Sequence, residues 1–163
     1  MKVVKTQKNS KNCIICGMEN VLGVKAPFYE MEDGRLATIF KFQSVHQSYP
    51  GRVHGGMITA MLDELAGRVL WIKQPDIYAV TTSLEVKFYK PVPYDIELKG
   101  VGEITIDTNR AYEAKSQIFD MNGSLLASAT VKYFKMTKER VSSDSMDDEM
   151  IYEINDGVEE IDI

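Results

Sequence analysis

The residues best suited to chemistry lie between His46 and Gly67. The run His46-Gln47-Ser48-Tyr49-Pro50-Gly51-Arg52-Val53-His54-Gly55-Gly56 leads into an apolar-periodic segment. Paired glycines at a helix start let another group approach the backbone closely. The first amides of a helix lack intrahelical acceptors, and the positive end of the macrodipole adds to their pull. Gly55 and Gly56 could therefore hold a carbonyl oxygen as it gains negative charge. The same pair also fits a plain loop-to-helix joint.

Nine positions after His54 comes Asp63, with Thr59, Ala60, Ala66 and Gly67 as its helical neighbours. None of these is cationic and all are small, so another molecule could come close to the carboxylate. Asp is a poor residue for a helix interior. Its presence here without a salt-bridge partner calls for a function, although an exposed Asp needs none. Glu64 differs, because Arg68 follows four residues later in the favourable order for a surface ion pair. His54 could act as a base, imidazole being the side chain that ordinarily ionises near neutrality, or it could fix the turn through its backbone neighbours. Lys87, Lys90, Arg110 and Lys132 could meet phosphates or could be solvated strand-face charges.

These residues need elements to position them. Met57, Ile58, Met61, Leu62, Leu65, Val69 and Leu70 recur at helical spacing, which predicts one long helix over about Gly55–Lys73, closed by Pro75. Four strand-like runs follow, near Tyr78–Tyr89, Tyr94–Ile106, Arg110–Asp120 and Ser124–Lys135. The Asn122-Gly123 pair between the last two is a hairpin signal. Upstream, Val24–Glu30 and Arg35–Phe42 read as strands flanking the turn Glu32-Asp33-Gly34. In Val80–Phe88 strict alternation puts Val80, Thr82, Leu84, Val86 and Phe88 on one face, with Thr81, Ser83, Glu85 and Lys87 on the other. One amphipathic helix among antiparallel strands must bury its stripe against a sheet, which predicts an α+β domain with the sheet wrapped around the helix.

The chain has 163 residues, 44% hydrophobic and 26% charged, which suits one soluble domain. No apolar run approaches the roughly 20 residues of a membrane span. The basic N-terminus lacks the apolar stretch of a secretory signal, so a cytoplasmic location is the default expectation. Residues 1–12 read as a flexible lead-in, 13–139 as the domain and 140–163 as an acidic tail. From Arg140 onward the net charge is −8, while residues 1–139 carry +3. A mildly basic body suits an anionic small molecule and is too weakly basic for nucleic acid. Nine acids in the tail suit disorder, although Asp156-Gly157 between two apolar runs also fits a hairpin. Cys13 and Cys16, two residues apart, suit a packed turn, a metal knuckle or a redox pair. A zinc ion wants four ligands. Within one chain only His46 and His54 would be left to complete the set, unless zinc is shared between chains.

HGGMITAMLDELAG resembles the signature of hot-dog-fold thioesterases of the phenylacetate-pathway (PaaI-like) type, which place HGG at the start of the central helix and an acid nine positions after the His. QSYPGRVHGG resembles the Q-G-x-P-G-x-x-H-G-G form of one subgroup, with Ser48 in place of Gly. CIICGMENVLGV is similar to its C-x-x-C-G-x-x-N-x-x-G-L opening, with Val24 in place of Leu. TTSLEVKFYKP resembles the strand that follows the helix. The likeness covers roughly residues 12–135 and leaves the tail unmatched. It implies a hot-dog fold, acyl-CoA as substrate, no metal or other cofactor, and a homodimer or homotetramer with active sites at the subunit interface. It further implies that the Gly55 amide, helped by Gly56, polarises the thioester carbonyl. Asp63 of the partner subunit would activate water or attack. Gln47 or Ser48 would orient the thioester or water, and Thr81 or Thr82 would help place the nucleophile. His54 would shape the loop, and Lys90 would meet the substrate. Two other functions fit the fold: a hydratase–dehydratase, which uses an Asp and His pair in a different loop motif, and a non-catalytic acyl-CoA-binding module.

Overall fold

A computed structural model describes residues 1–142 and 145–163. Seven antiparallel strands form one sheet: β1 (Val3–Thr6), β2 (Tyr29–Met31), β3 (Leu36–Phe40), β4 (Tyr78–Phe88), β5 (Leu98–Asp107), β6 (Ala111–Asp120) and β7 (Leu125–Met136). Their order across the sheet is β1-β2-β3-β5-β6-β7-β4. Helix α1 (Gly55–Arg68) runs on into a 3-10 turn over Val69–Ile72 and packs on β3 to β7. This is the hot-dog arrangement, a sheet wrapped around one long helix, and it agrees with the expected fold class.

The helical stripe explains the packing. Ile58, Met61, Leu62, Leu65, Val69 and Leu70 are all buried, and they meet Leu36, Phe42, Leu98, Ile118 and Val131 in one core. The sheet makes room for the helix at β5. A Cβ on Gly102 would lie 2.9 Å from the Leu65 carbonyl oxygen, so only glycine allows this approach. The four strands after the helix fall where alternation put them, and the β6–β7 hairpin turns at Gly123 with φ +83°.

Three expectations are corrected. First, Val3–Thr6 is not a loose lead-in but the edge strand β1, paired with β2. Second, among the described residues the acidic tail forms no hairpin with itself. Its two arms bridge to the N-terminal segment instead, Tyr152 with Asn9 and Glu160 with Lys2. Ile161 is buried there against Tyr29, Met31 and Ala37, so a few apolar side chains anchor an otherwise charged segment. Two short helices, α2 (Lys138–Val141) and α3 (Met146–Glu149), precede those arms. Third, β4 does not alternate strictly. Its register against β7 slips between Thr81 and Ser83, where Thr81 faces Tyr133 and Ser83 faces Lys132. A bulge inserts one residue and reverses the phase of the strand. Ala79 and Thr81 therefore share the helix-facing side with Leu84 and Val86, and Val80 turns outward.

Candidate functional site

The bulge matters because it aims Thr81 at the helix. Thr81 Oγ1 donates to Asp63, at 3.0 Å from Oδ1 and 3.2 Å from Oδ2. The Tyr133 hydroxyl lies 2.8 Å from Asp63 Oδ1 and 2.7 Å from the Asp63 carbonyl oxygen. Thr81 is opposite Tyr133 in the β4–β7 register, and Tyr133 is opposite Tyr112 in the β6–β7 register. Residues directly opposite in a ladder point to the same face, so the three stand in a row beneath the helix. The Tyr112 and Tyr133 rings stack at 4.6 Å, and the Tyr112 hydroxyl donates to the Gly67 carbonyl. Burial, with the Asp63 charge, pushes both phenols well above their usual range, so each remains a neutral donor.

Asp63 is thus half-buried and held by two hydroxyls, in a cleft of about 170 Å³ that Gly67, Trp71, Tyr78 and Ala79 also line. The cleft is below the ~300–1,000 Å³ of a typical ligand pocket. The other half of the expected chemistry lies elsewhere. Gly55 lines a separate groove of about 340 Å³ with Arg52, Phe88, Tyr89 and Lys90. His54 caps α1: its Nδ1 accepts the Gly56 N–H at 2.9 Å. The Gly56 amide is therefore occupied, while the Gly55 N–H has no acceptor among the described residues. At 1.5 Å per residue, Gly55 and Asp63 stand about 12 Å apart along the helix.

The remaining expected residues are dispersed. Gln47 and Ser48 are exposed on the loop before α1. Gln47 Oε1 accepts from the Tyr94 hydroxyl, and the Ser48 N–H donates to the Arg52 carbonyl. Thr82, the extra residue of the bulge, donates to the Lys132 carbonyl rather than to Asp63. Lys90 is exposed at the Gly55 groove, whereas Lys87 and Lys132 pair with Glu85 and Glu113. Sequence reasoning missed Tyr133 and Arg52. Tyr133 sits in an ordinary alternating strand, and nothing short of the register shows that it faces Asp63.

Glu64 is also corrected. Its partner Arg68 is not at the surface but 2% exposed, with Nε 2.7 Å from Glu64 Oε1. The guanidinium lies over the Phe28 and Trp71 rings, donates to the Lys8 carbonyl, and places Nη2 2.9 Å from Cys16 Sγ. The hydrogen bond from Cys13, together with the Arg68 charge, draws the Cys16 thiol down to about 7 against the opposing effect of burial. The same shared hydrogen bond, burial and the Glu64 charge push Cys13 up.

Comparison with known proteins places this geometry. Residues 50–127 match the profile of the thioesterase superfamily. A crystal structure of a thioesterase superfamily protein superposes with a TM-score of 0.69 at 22% identity, covering 76% of this chain and 63% of that one. This chain thus spans less than two thirds of that protein. A hypothetical thioesterase from Streptococcus pneumoniae, crystallised with coenzyme A, gives 0.61 at 22% identity, covering 68% and 84%. Zebra fish thioesterase superfamily member 2 gives 0.63 at 15% identity, covering 72% and 86%. No curated protein matches the sequence. Among the described residues no helix is long and apolar enough to cross a membrane. The matched stretch runs from the loop before α1 into β7 and contains Gly55, Asp63 and Thr81, so this stretch is similar to the thioesterase superfamily and the chain shares the hot-dog fold of these structures.

Proposed function

We propose that this protein hydrolyses acyl-CoA thioesters, with Asp63 as the catalytic carboxylate. The observation that carries the reading is the Asp63 carboxylate, oriented by Thr81 and Tyr133 and open to a cleft. A thioester carbonyl needs a donor for its oxygen as charge develops, and water needs a base. Asp63 takes a proton from water, or attacks the carbonyl itself. Hydroxide adds to the acyl carbon, the carbon–sulfur bond breaks, and the thiol of CoA leaves with a proton. The Gly55 N–H, rather than that of Gly56, receives the carbonyl oxygen. Arg52 and Lys90 beside Gly55 supply positive charge suited to the phosphates of CoA.

One acyl carbon must come within roughly 3 Å of both the base and the oxyanion donor. The ~12 Å between Gly55 and Asp63 of one helix exceeds that reach. The reading therefore requires two chains, with Asp63 of one facing Gly55 of the other, in a dimer or tetramer. The free edge of β4 offers a surface for such pairing, since an open edge strand is a liability, and Phe88 and Tyr89 near its end are half exposed.

The test is release of free thiol from a panel of short, long and aromatic acyl-CoAs, with the oligomeric state followed by light scattering. Turnover of at least one member by a dimer or larger assembly is expected. A fully active monomer at micromolar concentration would sink the interface site. Saturable binding of acyl-CoA without release of thiol would convert the reading to a binding module.

A further inference from the structure

Cys13, Cys16 and Glu64 come together behind the Asp63 cleft, which Glu64 and Arg68 also line. One Sγ from each cysteine and one carboxylate oxygen lie within 4.8 Å of one another, the one such trio among the described residues. Cys13 Sγ is 3.7 Å from Glu64 Oε2. The sequence pointed to His46 and His54 to complete a site, and neither is free for it. His46 Nε2 donates to the Leu22 carbonyl and its Nδ1 accepts the Gln43 N–H, while His54 caps α1. Glu64, from the helix, stands there instead.

From this geometry we infer that Cys13, Cys16 and Glu64 form a binding site for a thiophilic divalent cation such as Zn2+, with Arg68 as its outer partner. The turn is already shaped for it. The N–H groups of Ile15 and Cys16 both point at Cys13 Sγ, at 3.3 and 3.4 Å, and the Gly17 N–H closes the turn on the Cys13 carbonyl at 2.8 Å. A Cβ on Gly17 would lie 2.3 Å from that carbonyl oxygen, so the turn demands glycine. Amides aimed at a sulfur stabilise it as a thiolate, the form that binds metal.

Arg68 orients the ligands from behind. Its Nε holds Glu64 Oε1, which leaves Oε2 toward Cys13, and its Nη2 holds Cys16 Sγ, on which the Ser10 hydroxyl also rests at 3.2 Å. Such outer hydrogen bonds fix ligand direction in metal sites. Two thiolates and a carboxylate beside one guanidinium lack two positive charges, and a divalent ion supplies them. The neutral total matters because Cys16 and Arg68 are buried, where net charge is costly. Around an ion with Zn–S near 2.3 Å, tetrahedral ligand atoms stand roughly 3.5–3.8 Å apart, so closure from within 4.8 Å needs at most about 1.3 Å of contraction. Cys13 and Glu64 are only partly buried, which leaves the fourth position open to water.

The test uses the full chain, reduced and metal-free, titrated with Co2+ in the absence of substrate, so that its outcome is separate from the thioesterase reading. A thiolate-to-cobalt charge-transfer band should rise and saturate at one equivalent per chain, and Zn2+ should abolish it. Cys13→Ser, at the less buried cysteine, should lose the band at stoichiometric Co2+. Zn2+ should also raise the melting temperature of the parent, which does not depend on any variant folding. No band in the parent, or an undiminished band in Cys13→Ser, overturns the inference. So does a parent that takes up no Co2+ but closes a Cys13–Cys16 disulfide with hydrogen peroxide, two thiols being oxidised as peroxide is reduced to water.

Discussion

Asp63 and Glu64 are adjacent in sequence, yet the proposed function gives them opposite kinds of work, and substitution should separate them. In Asp63→Asn the amide oxygen can still accept from Tyr133 at the Oδ1 position, 2.8 Å away, and from Thr81. The nitrogen takes the place of Oδ2, whose only hydrogen bond among the described residues is the longer one from Thr81. Packing and most hydrogen bonding survive, so the melting temperature should move little. The base or nucleophile is lost, and the rate should fall at least ~100-fold, or about 2.7 kcal/mol of transition-state stabilisation. Glu64→Gln should do the reverse. Arg68 is buried, and removing the partner of a buried charge costs about 3–5 kcal/mol. Gln keeps one acceptor for Nε, and Glu64 is a quarter exposed, so about 2–3 kcal/mol is expected. For a domain of this size that lowers the melting temperature by roughly 4–12 °C. Turnover below the transition should fall far less than in Asp63→Asn. The assay is thiol release beside a thermal melt for both variants. An Asp63→Asn protein that keeps its fold and hydrolyses acyl-CoA within a few-fold of the parent would refute the catalytic assignment. An unchanged melt for Glu64→Gln would refute the buried pair.

Three further outcomes follow from particular contacts. Tyr133→Phe removes one of the two hydroxyls that orient Asp63 and, at about 1 kcal/mol for a hydrogen bond, should slow thiol release several-fold without abolishing it. Gly102→Ala places a methyl 2.9 Å from the Leu65 carbonyl oxygen and should destabilise the domain by about 1–3 kcal/mol in urea unfolding. Truncation after Val141 removes Ile161 from its contact with Tyr29 and Met31. It should cost at least ~1.5–3 kcal/mol, the value of one buried Ile side chain, while thiol release by the folded fraction persists, because the contacts that orient Asp63 come from β4 and β7.

The sequence by itself determined the elements and their class. An apolar stripe of period 3.6 called for one helix over about Gly55–Lys73, and alternation with turn residues such as Asn122-Gly123 called for antiparallel strands after it. The residue spacing also singled out Gly55 and Asp63, because paired glycines at a helix start and an unpartnered acid inside a helix are rare in local terms. Tertiary structure decided what those residues meet. Strict alternation turned Thr81 away from the helix and Thr82 toward it, and one bulge reversed both, since an inserted residue flips the side chains before it relative to those after it. Tyr133 faces Asp63 only through the register of β7 against β4, which pairs residues far apart in the chain. Glu64 and Arg68 read as a surface pair because i,i+4 spacing says nothing of what covers it. The cover is Trp71 from the turn that continues the helix, with Phe28 and the Cys13–Cys16 turn brought there by the N-terminal segment. Local pattern sets which way a side chain points within its own element, and only packing between elements sets what stands on the other side.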